Sequence, residues 1–290
     1  MVSIITINYN RWQDTCELIA SLKQFEDYPY EVIVVDNASH GDDADRIHMA
    51  HPEVILIRSN INLGFAGGNN LGYKHSRGEY IFFLNNDMIV KSPILHPLVQ
   101  RLSDPDIGGT SPCIKYYYKP NLLQYYGYQD MTSITLKHKT LPYDYSRSED
   151  FLKPEVTEVL HGGAMMVSRT VIEQVGQMTE VYFLFYEEFD WSRRMREAGY
   201  KLFYEPASVV YHKESASIPP ATPFREYYLS RSRIIYAKRN CKGWYCWISQ
   251  AYLLFLAFPK KILSNLLSQR YDLCKAIFFG VCSGLKYKNL

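Results

Sequence analysis

Over the first hundred positions, short runs of consecutive apolar residues alternate with amphipathic stretches. Val2–Ile7, Glu31–Val35, Val54–Ile57 and Glu79–Leu84 lack the in–out alternation of a half-exposed strand, so they read as strands covered on both faces. Between them, Trp12–Gln24, Asp42–Ala50 and Ala66–Ser76 read as helices, the first with Leu18, Ile19 and Leu22 on one side. This β-α-β-α rhythm predicts an α/β fold with right-handed crossovers and a largely parallel, twisted sheet. A helix after Pro93 runs to about Leu102, and then the rhythm breaks. From Thr110 to Pro154 the chain is rich in tyrosine, Tyr143 and Tyr145 included, and reads as irregular hairpins or loops over one sheet edge. Pattern returns with Glu155–Leu160, Ala164–Val167, a helix from about Glu187 to Ala198, and strands near Lys201–Tyr204 and Ser208–Tyr211.

The last fifty residues differ in kind. Trp244–Phe258 carries no charge and is closed by Pro259-Lys260-Lys261. A membrane span needs roughly 20 apolar residues, so this run is short. Ile262–Gly280 then sets Leu263, Leu266, Leu267, Ile277 and Phe278 among Lys, Arg and Ser. Two readings are open: helices lying in a lipid interface, or a helical hairpin packed on the main domain or in a homodimer interface. The expected division is a main domain over 1–240 and a basic, apolar helical extension over 241–290.

Charge sharpens the first reading. The formal net charge is only +2, which gives no reason to expect a nucleic-acid partner, yet from Arg225 onward twelve Lys or Arg stand against Glu226 and Asp272. A basic tail of this kind suits an anionic membrane surface. The six cysteines form no C-x-x-C pair and no disulfide framework, which fits a reducing cytosol. Met1 leads straight into a strand without a basic leader, so no signal peptide is expected.

Candidate chemistry clusters at strand ends and one helix start. Tyr80–Leu84 stops at Asn85-Asn86-Asp87, where an open α/β sheet binds ligands. These side chains suit ribose hydroxyls and a divalent cation, though Asn-Asp is also ordinary turn chemistry. Phe185–Trp191 holds Glu187, Glu188 and Asp190. On a helix Glu187 and Asp190 share a face, so one carboxylate can act as a base while others orient it; acids in a first turn equally stabilise the helix dipole. Asn62–Asn70 is a glycine-rich turn entering a helix, able to bring backbone amides to a nucleotide. It is not G-x-G-x-x-G and follows the third strand, which argues against a dinucleotide-binding dehydrogenase. His212, after the strand Ser208–Tyr211, gains interest only beside a metal.

In order along the chain, Ile5–Asn10, Val34–Ser39, Asn62–Gly72, Phe83–Asp87, His161–Met166, Glu187–Asp190 and His212–Ser217 resemble family 2 glycosyltransferases of GT-A fold, closest to the rhamnosyltransferase-like branch. The resemblance covers roughly residues 1–240. It implies a Rossmann-like, mostly parallel sheet flanked by helices and an inverting transfer from a nucleoside-diphosphate sugar to a hydroxyl of a glycan or lipid-linked acceptor. It places Thr6, Asn8 and Asp36 at the nucleobase and ribose, and Asn62, Gly67 and Asn69 beside the nucleotide. Asn85-Asn86-Asp87 stands for the D-x-D motif, with Asp87 and His212 as ligands of Mg²⁺ or Mn²⁺. Glu188 is the implied base, Gly163 and Ala164 face the acceptor, and Glu187, Asp190 and Trp191 orient the site. Arg231 is expected to add a cation near the phosphates. Two departures follow: Asn85 replaces the first aspartate, weakening the cation site, and the base is Glu rather than Asp. The expected place of work is the cytoplasmic face of the cell membrane, in surface-polysaccharide assembly. A nucleotidyltransferase, a non-catalytic sugar-nucleotide-binding protein and a purely structural membrane-associated protein are the rival readings.

Overall fold

A computed structural model of the chain describes residues 1–138, 153–213 and 221–288. Tyr143, Tyr145 and the 214–217 stretch lie outside the described residues. The strands are β1 (Val2–Asn8), β2 (Tyr30–Asn37), β3 (Ile55–Ser59), β4 (Tyr80–Leu84), β5 (Met88–Val90), β6 (Ile107–Tyr116), β7 (Lys119–Tyr125), β8 (Glu155–Thr157), β9 (Ala164–Ser168) and β10 (Lys201–His212). The helices are α1 (Trp12–Phe25), α2 (Asp43–Ala50), α3 (Gly64–Lys74), α4 (Leu95–Leu102), α5 (Arg169–Val175), α6 (Glu187–Glu197), α7 (Pro223–Asn240), α8 (Trp244–Tyr252), α9 (Phe258–Leu267) and α10 (Tyr271–Lys286).

One sheet runs β3-β2-β1-β4-β9-β6-β10-β5, with β7 paired to β6 and β8 to β10. The first four strands are parallel, as the β-α rhythm requires. Beyond β4 the sheet is mixed: β9 is antiparallel to β4 and β6, and β10 returns parallel to β6. The uninterrupted apolar strands are buried on both faces by alternation. Val2, Ile4, Val32, Val34, Phe82 and Leu84 point into one core with Leu18, Ile47 and Leu98. Ile5, Ile33, Ile81 and Phe83 point into the other with Ala66, Trp191 and Met195.

The expectation that 110–154 covers a sheet edge needs correction at its start. β6 is an interior strand, between β9 and β10, and only the β6–β7 hairpin matches the irregular reading. Its sequence, Ile-Gly-Gly-Thr-Ser-Pro-Cys-Ile, is buried through small residues, not an apolar run. Added Cβ atoms at Gly108 and Gly109 would lie 2.7 Å from Tyr200 and 2.5 Å from Leu160, so the neighbours fill the space that larger side chains would claim. The two expected strands at 201–204 and 208–211 are one strand, β10, with a register shift between Glu205 and Val209.

The C-terminal helices are not a detached tail. Leu253, Phe258 and Ile277 share a third core with Ile234, Ile235, Tyr236 and Ala237 of α7 and with Tyr182 and Phe189. α10 approaches α7 so closely that a Cβ at Gly280 would sit 2.4 Å from the Tyr227 carbonyl oxygen. Outward, Trp247, Phe255 and Leu267 are 77–79% exposed, and Trp244, Leu263, Phe278 and Phe279 are exposed with them. Among the described residues no helix is long and apolar enough to cross a membrane.

Candidate active site

The C-terminal ends of β1, β2 and β4 bring Asn8, Asp36 and Asn85 to one edge of the sheet. Asn8 is fully buried and fully used. Its amide donates to Asp36 (2.9 Å), Ser39 (3.0 Å) and Asp43 (3.1 Å), and its oxygen accepts from the Thr15 hydroxyl (2.8 Å). Thr15 in turn accepts from Asn86 (3.0 Å), so one network ties three strand ends to α1 and α2. Asn8 therefore shapes the edge, and Thr6 and Asp36 are buried beside it.

Asn37, one residue past Asp36, does what the sequence left unassigned. Its oxygen accepts from the Leu63 amide (2.9 Å), and its nitrogen donates to Asn62 (3.0 Å) and the Gly64 carbonyl (3.1 Å). Its position at a strand end was the available signal. The glycines of this turn serve close packing: Cβ atoms at Gly67 and Gly68 would meet Leu63 and Ile7 at 2.9 and 2.8 Å. Gly64 has φ +72°, and a Cβ there would lie 2.2 Å from the Phe183 carbonyl oxygen, which accepts the Phe65 amide at 2.7 Å. Asn69 is buried within α3, its amide nitrogen without a partner among the described residues.

Two cavities open above this edge. The first, about 450 Å³, is lined by Tyr9, Asn37, Asn62, Asn85, Asn86 and Phe224 among others. The second, about 270 Å³, is lined by Tyr128, His138, His161, Gly163, Glu187 and Glu188. They meet at Phe65, Asn85 and Leu184, which line both. The wall between them is the segment before α6, where Phe183, Phe185 and Tyr186 all hold positive φ (66°, 66° and 77°). Three aromatic residues in that region store backbone strain, a feature that concentrates at functional sites.

The carboxylates of α6 divide by environment. Burial pushes Glu188 up to about 7, against two backbone hydrogen bonds that favour its charge. Glu187 is held well above the carboxylate range by burial and by the charge of Glu188. Asp190, 1% exposed, goes the other way. Burial acts to raise it, but a hydrogen bond from Asn240, the Arg239 charge, Thr179 and Arg194 outweigh that and hold it low. Asp190 also accepts from Tyr182, and Trp191 donates its indole N–H to the Gly176 carbonyl; neither residue lines either of these two cavities. Ala164 is buried in β9. Arg231 donates to the carbonyls of Val181 and Tyr182 (2.7 and 3.0 Å), bracing the strained segment from α7. The structure thus joins Asn62, Asn85, Asn86, Gly163, Glu187 and Glu188 at the cavities and places Asn8, Asp190, Trp191 and Arg231 in their supports.

Asp87 and His212 do come together. His212 Nε2 lies 3.2 Å from Asp87 Oδ1, yet that buried oxygen receives no hydrogen bond. His212 Nδ1 contacts the Gln124 amide oxygen at 2.8 Å, and since an amide oxygen only accepts, Nδ1 carries the hydrogen. In the neutral ring the Nε2 lone pair then faces the carboxylate oxygen. A divalent cation fits that donor pair, and the Gln124 contact is the outer support a metal-bound imidazole normally has. Among the described residues no third His, Cys, Asp or Glu joins them.

A mixed, mostly parallel sheet flanked by helices, with cavities at its strand ends, is the architecture of GT-A glycosyltransferases. The structure superposes on GalNAc-T7, solved with UDP, GalNAc and Mn²⁺, at TM-score 0.67 and 18% identity, covering 97% of this chain and 55% of that one. A mannosyltransferase from Pyrobaculum calidifontis, solved with GDP-Man and Mn²⁺, gives TM-score 0.60 at 18% identity, covering 99% and 88%. Residues 3–176 match the model of glycosyl transferase family 2, and the chain belongs to that family. Relatives include a low-salt glycan biosynthesis hexosyltransferase of Haloferax volcanii, 26% identical over 67% of this chain, which spans 61% of that enzyme's length. An N-acetylglucosaminyl-diphospho-decaprenol L-rhamnosyltransferase of Mycobacterium tuberculosis is 24% identical, covering 84% of this chain and 86% of the relative.

Proposed function

We propose that the chain transfers a sugar from a nucleoside-diphosphate donor in the first cavity to a hydroxyl of a glycan or lipid-linked acceptor in the second. The observation that carries this reading is the meeting of the two cavities at Asn85, with a carboxyl poised at about 7, Glu188, lining the second of them. The acceptor oxygen attacks the anomeric carbon, the bond from that carbon to the diphosphate oxygen breaks, and Glu188 takes the hydroxyl proton. Attack from the second cavity with departure into the first inverts the anomeric centre. Asn62, Asn85 and Asn86 offer amides to the donor, and Phe65 and Leu184 help to keep water from the junction. Asp87 and His212 would hold the Mg²⁺ or Mn²⁺, which when bound supplies positive charge against the departing diphosphate.

Calorimetry with UDP-, dTDP- and GDP-sugars, with and without Mn²⁺, tests the reading; dTDP-rhamnose is the first donor to try, given the rhamnosyltransferase relatives. We expect one donor class to bind, Mn²⁺ to tighten it, and Asp87→Ala to abolish only the Mn²⁺-dependent gain. Binding of none of them would end the transferase reading. Binding without any hydrolysis or transfer would favour a sugar-nucleotide-binding protein instead.

The outward face of α8–α10 supports a place at the inner leaflet of the cell membrane. Exposed Trp247, Phe255 and Leu267 lie in a segment that also carries Lys260, Lys261, Arg270 and Lys275, the composition of an interfacial surface. Triple replacement of Trp247, Phe255 and Leu267 by Ser leaves the buried side of these helices intact. It should lower binding to anionic phosphatidylglycerol vesicles by about 10-fold or more. Undiminished co-flotation of the variant would remove the membrane assignment.

A further inference from the structure

The second cavity holds a polar group that neither the base nor the cation pair accounts for. His161 lies on the loop between β8 and β9, and its ring is fixed from its own chain. The Gly163 amide donates to His161 Nδ1 at 3.0 Å, so Nδ1 is an acceptor and the ring hydrogen sits on Nε2. Gly163 also makes room for the ring: a Cβ there would lie 3.2 Å from both Nδ1 and Cε1 of His161, and 2.8 Å from Met88. The His161 amide is held in turn by Ser111 at 3.0 Å. Edge contacts with Tyr125 (5.3 Å between centroids) and a tilted contact with Tyr128 (5.9 Å) complete the seat. Among the described residues nothing accepts from Nε2–H, although the ring lines the cavity.

The surroundings select a ligand class. Tyr128 and His138 stand 5.2 Å apart beside His161, giving ring faces of the kind that cover the C–H side of a pyranose. The cavity is lined by two carboxyl groups and by a neutral donor whose orientation is fixed. Such a site takes an uncharged polyol better than an anion, because the residues that line it include no Lys or Arg to offset the cost of burying a negative charge beside Glu188.

We propose that His161 is the specificity-determining contact to the acceptor sugar: its Nε2–H donates to a non-reacting oxygen, a hydroxyl or an N-acyl carbonyl, while Tyr128 and His138 flank the ring. This rests on the transferase reading and names the acceptor side of the same site. The reacting hydroxyl stays with Glu188, so His161 sets which position of the acceptor is presented and takes no proton itself.

The test uses the ¹⁵N-labelled full chain without donor, titrated with methyl glycosides of glucose, galactose, mannose, rhamnose and N-acetylglucosamine. The imidazole spectrum of the unmodified protein reports the tautomer directly and needs no variant to fold. We expect a neutral Nε2–H ring, shifted by at least one glycoside. His161→Phe should weaken that glycoside about 3- to 10-fold, the loss of one neutral hydrogen bond, and His161→Gln, which keeps an N–H donor, should recover most of it. A hydrogen on Nδ1, a signal that no glycoside moves, or equal affinity in His161→Phe would each overturn the assignment. Because no nucleotide sugar is present, failure here leaves the donor measurements standing, and failure of donor binding leaves this result standing.

Discussion

Glu188→Gln is expected to lower sugar transfer by about 10²–10⁴-fold while donor affinity is unchanged. Gln keeps the shape and length of the side chain but has no lone pair basic enough to take the acceptor proton. In the proposed arrangement the donor occupies the other cavity, which Asn62 and Asn86 line, so its binding should not register the change. The pH dependence follows from the same burial. With the carboxyl pushed up to about 7, only the fraction ionised can act as base, so transfer should rise with pH through about 7 and level above it. Stability runs the opposite way. A carboxyl raised above its ordinary 4.5 binds more protons in the folded chain than in the unfolded one between 4.5 and about 7, so its ionisation costs stability as pH rises through that window. Glu188→Gln removes this cost and should melt at an equal or higher temperature than the parent at pH 8. Transfer within tenfold of the parent would show that another group is the base.

The parts of the site legible in sequence were those with one physical explanation. Doubly covered strands such as β1, β2 and β4 announce themselves as uninterrupted apolar runs, and the polar residue ending each is then conspicuous. β6 was hidden because burial there uses Gly108, Gly109, Ser111 and Pro112, which carry no strand signature. α7 was hidden because half of its buried positions are polar: Glu226, Ser230, Ser232 and Asn240 are buried beside Ile234, Ile235, Tyr236 and Ala237. The acids of α6 show the limit best. Glu187, Glu188 and Asp190 lie within four positions, and spacing put Glu187 and Asp190 on one face. Yet the strained turn at Phe185–Tyr186 sets Glu187 with Glu188 at the cavity, while Asp190 meets, besides Arg194 one turn on, Arg239 from a helix fifty residues later. No local pattern contains that partner.

Asp190→Ala should therefore act on stability first, with a loss of about 3–5 kcal/mol, the usual result of removing one member of a buried ion pair. Asp190 receives Arg194 at 3.2 Å, Arg239 at 3.2 Å, Asn240 at 2.9 Å, Tyr182 at 3.0 Å and Thr179 at 2.8 Å. Alanine leaves both guanidinium groups facing each other without the anion between them, and leaves Asn240 and Tyr182 short of an acceptor inside the third core. The damage should spread in two directions. Through α6 it loosens the helix that carries Glu188, and through Arg239, which also donates to Tyr287 at 3.0 Å, it loosens the end of α10. The urea midpoint should fall, and transfer should be lost at temperatures where the parent is still fully folded. The acid behaviour of the parent checks the same carboxylate. Its pKa is held below the ordinary 3.8, so the stability it gives is present above that value and is lost as pH falls below it, through the folded pKa. An Asp190→Asn chain should lack that acid-labile part and, being short of one negative charge between two cations, should lie closer to Asp190→Ala than to the parent. A change within about 0.5 kcal/mol, the range of an ordinary surface substitution, would show that the two arginines are held by other means and that Asp190 is free for a role in the site.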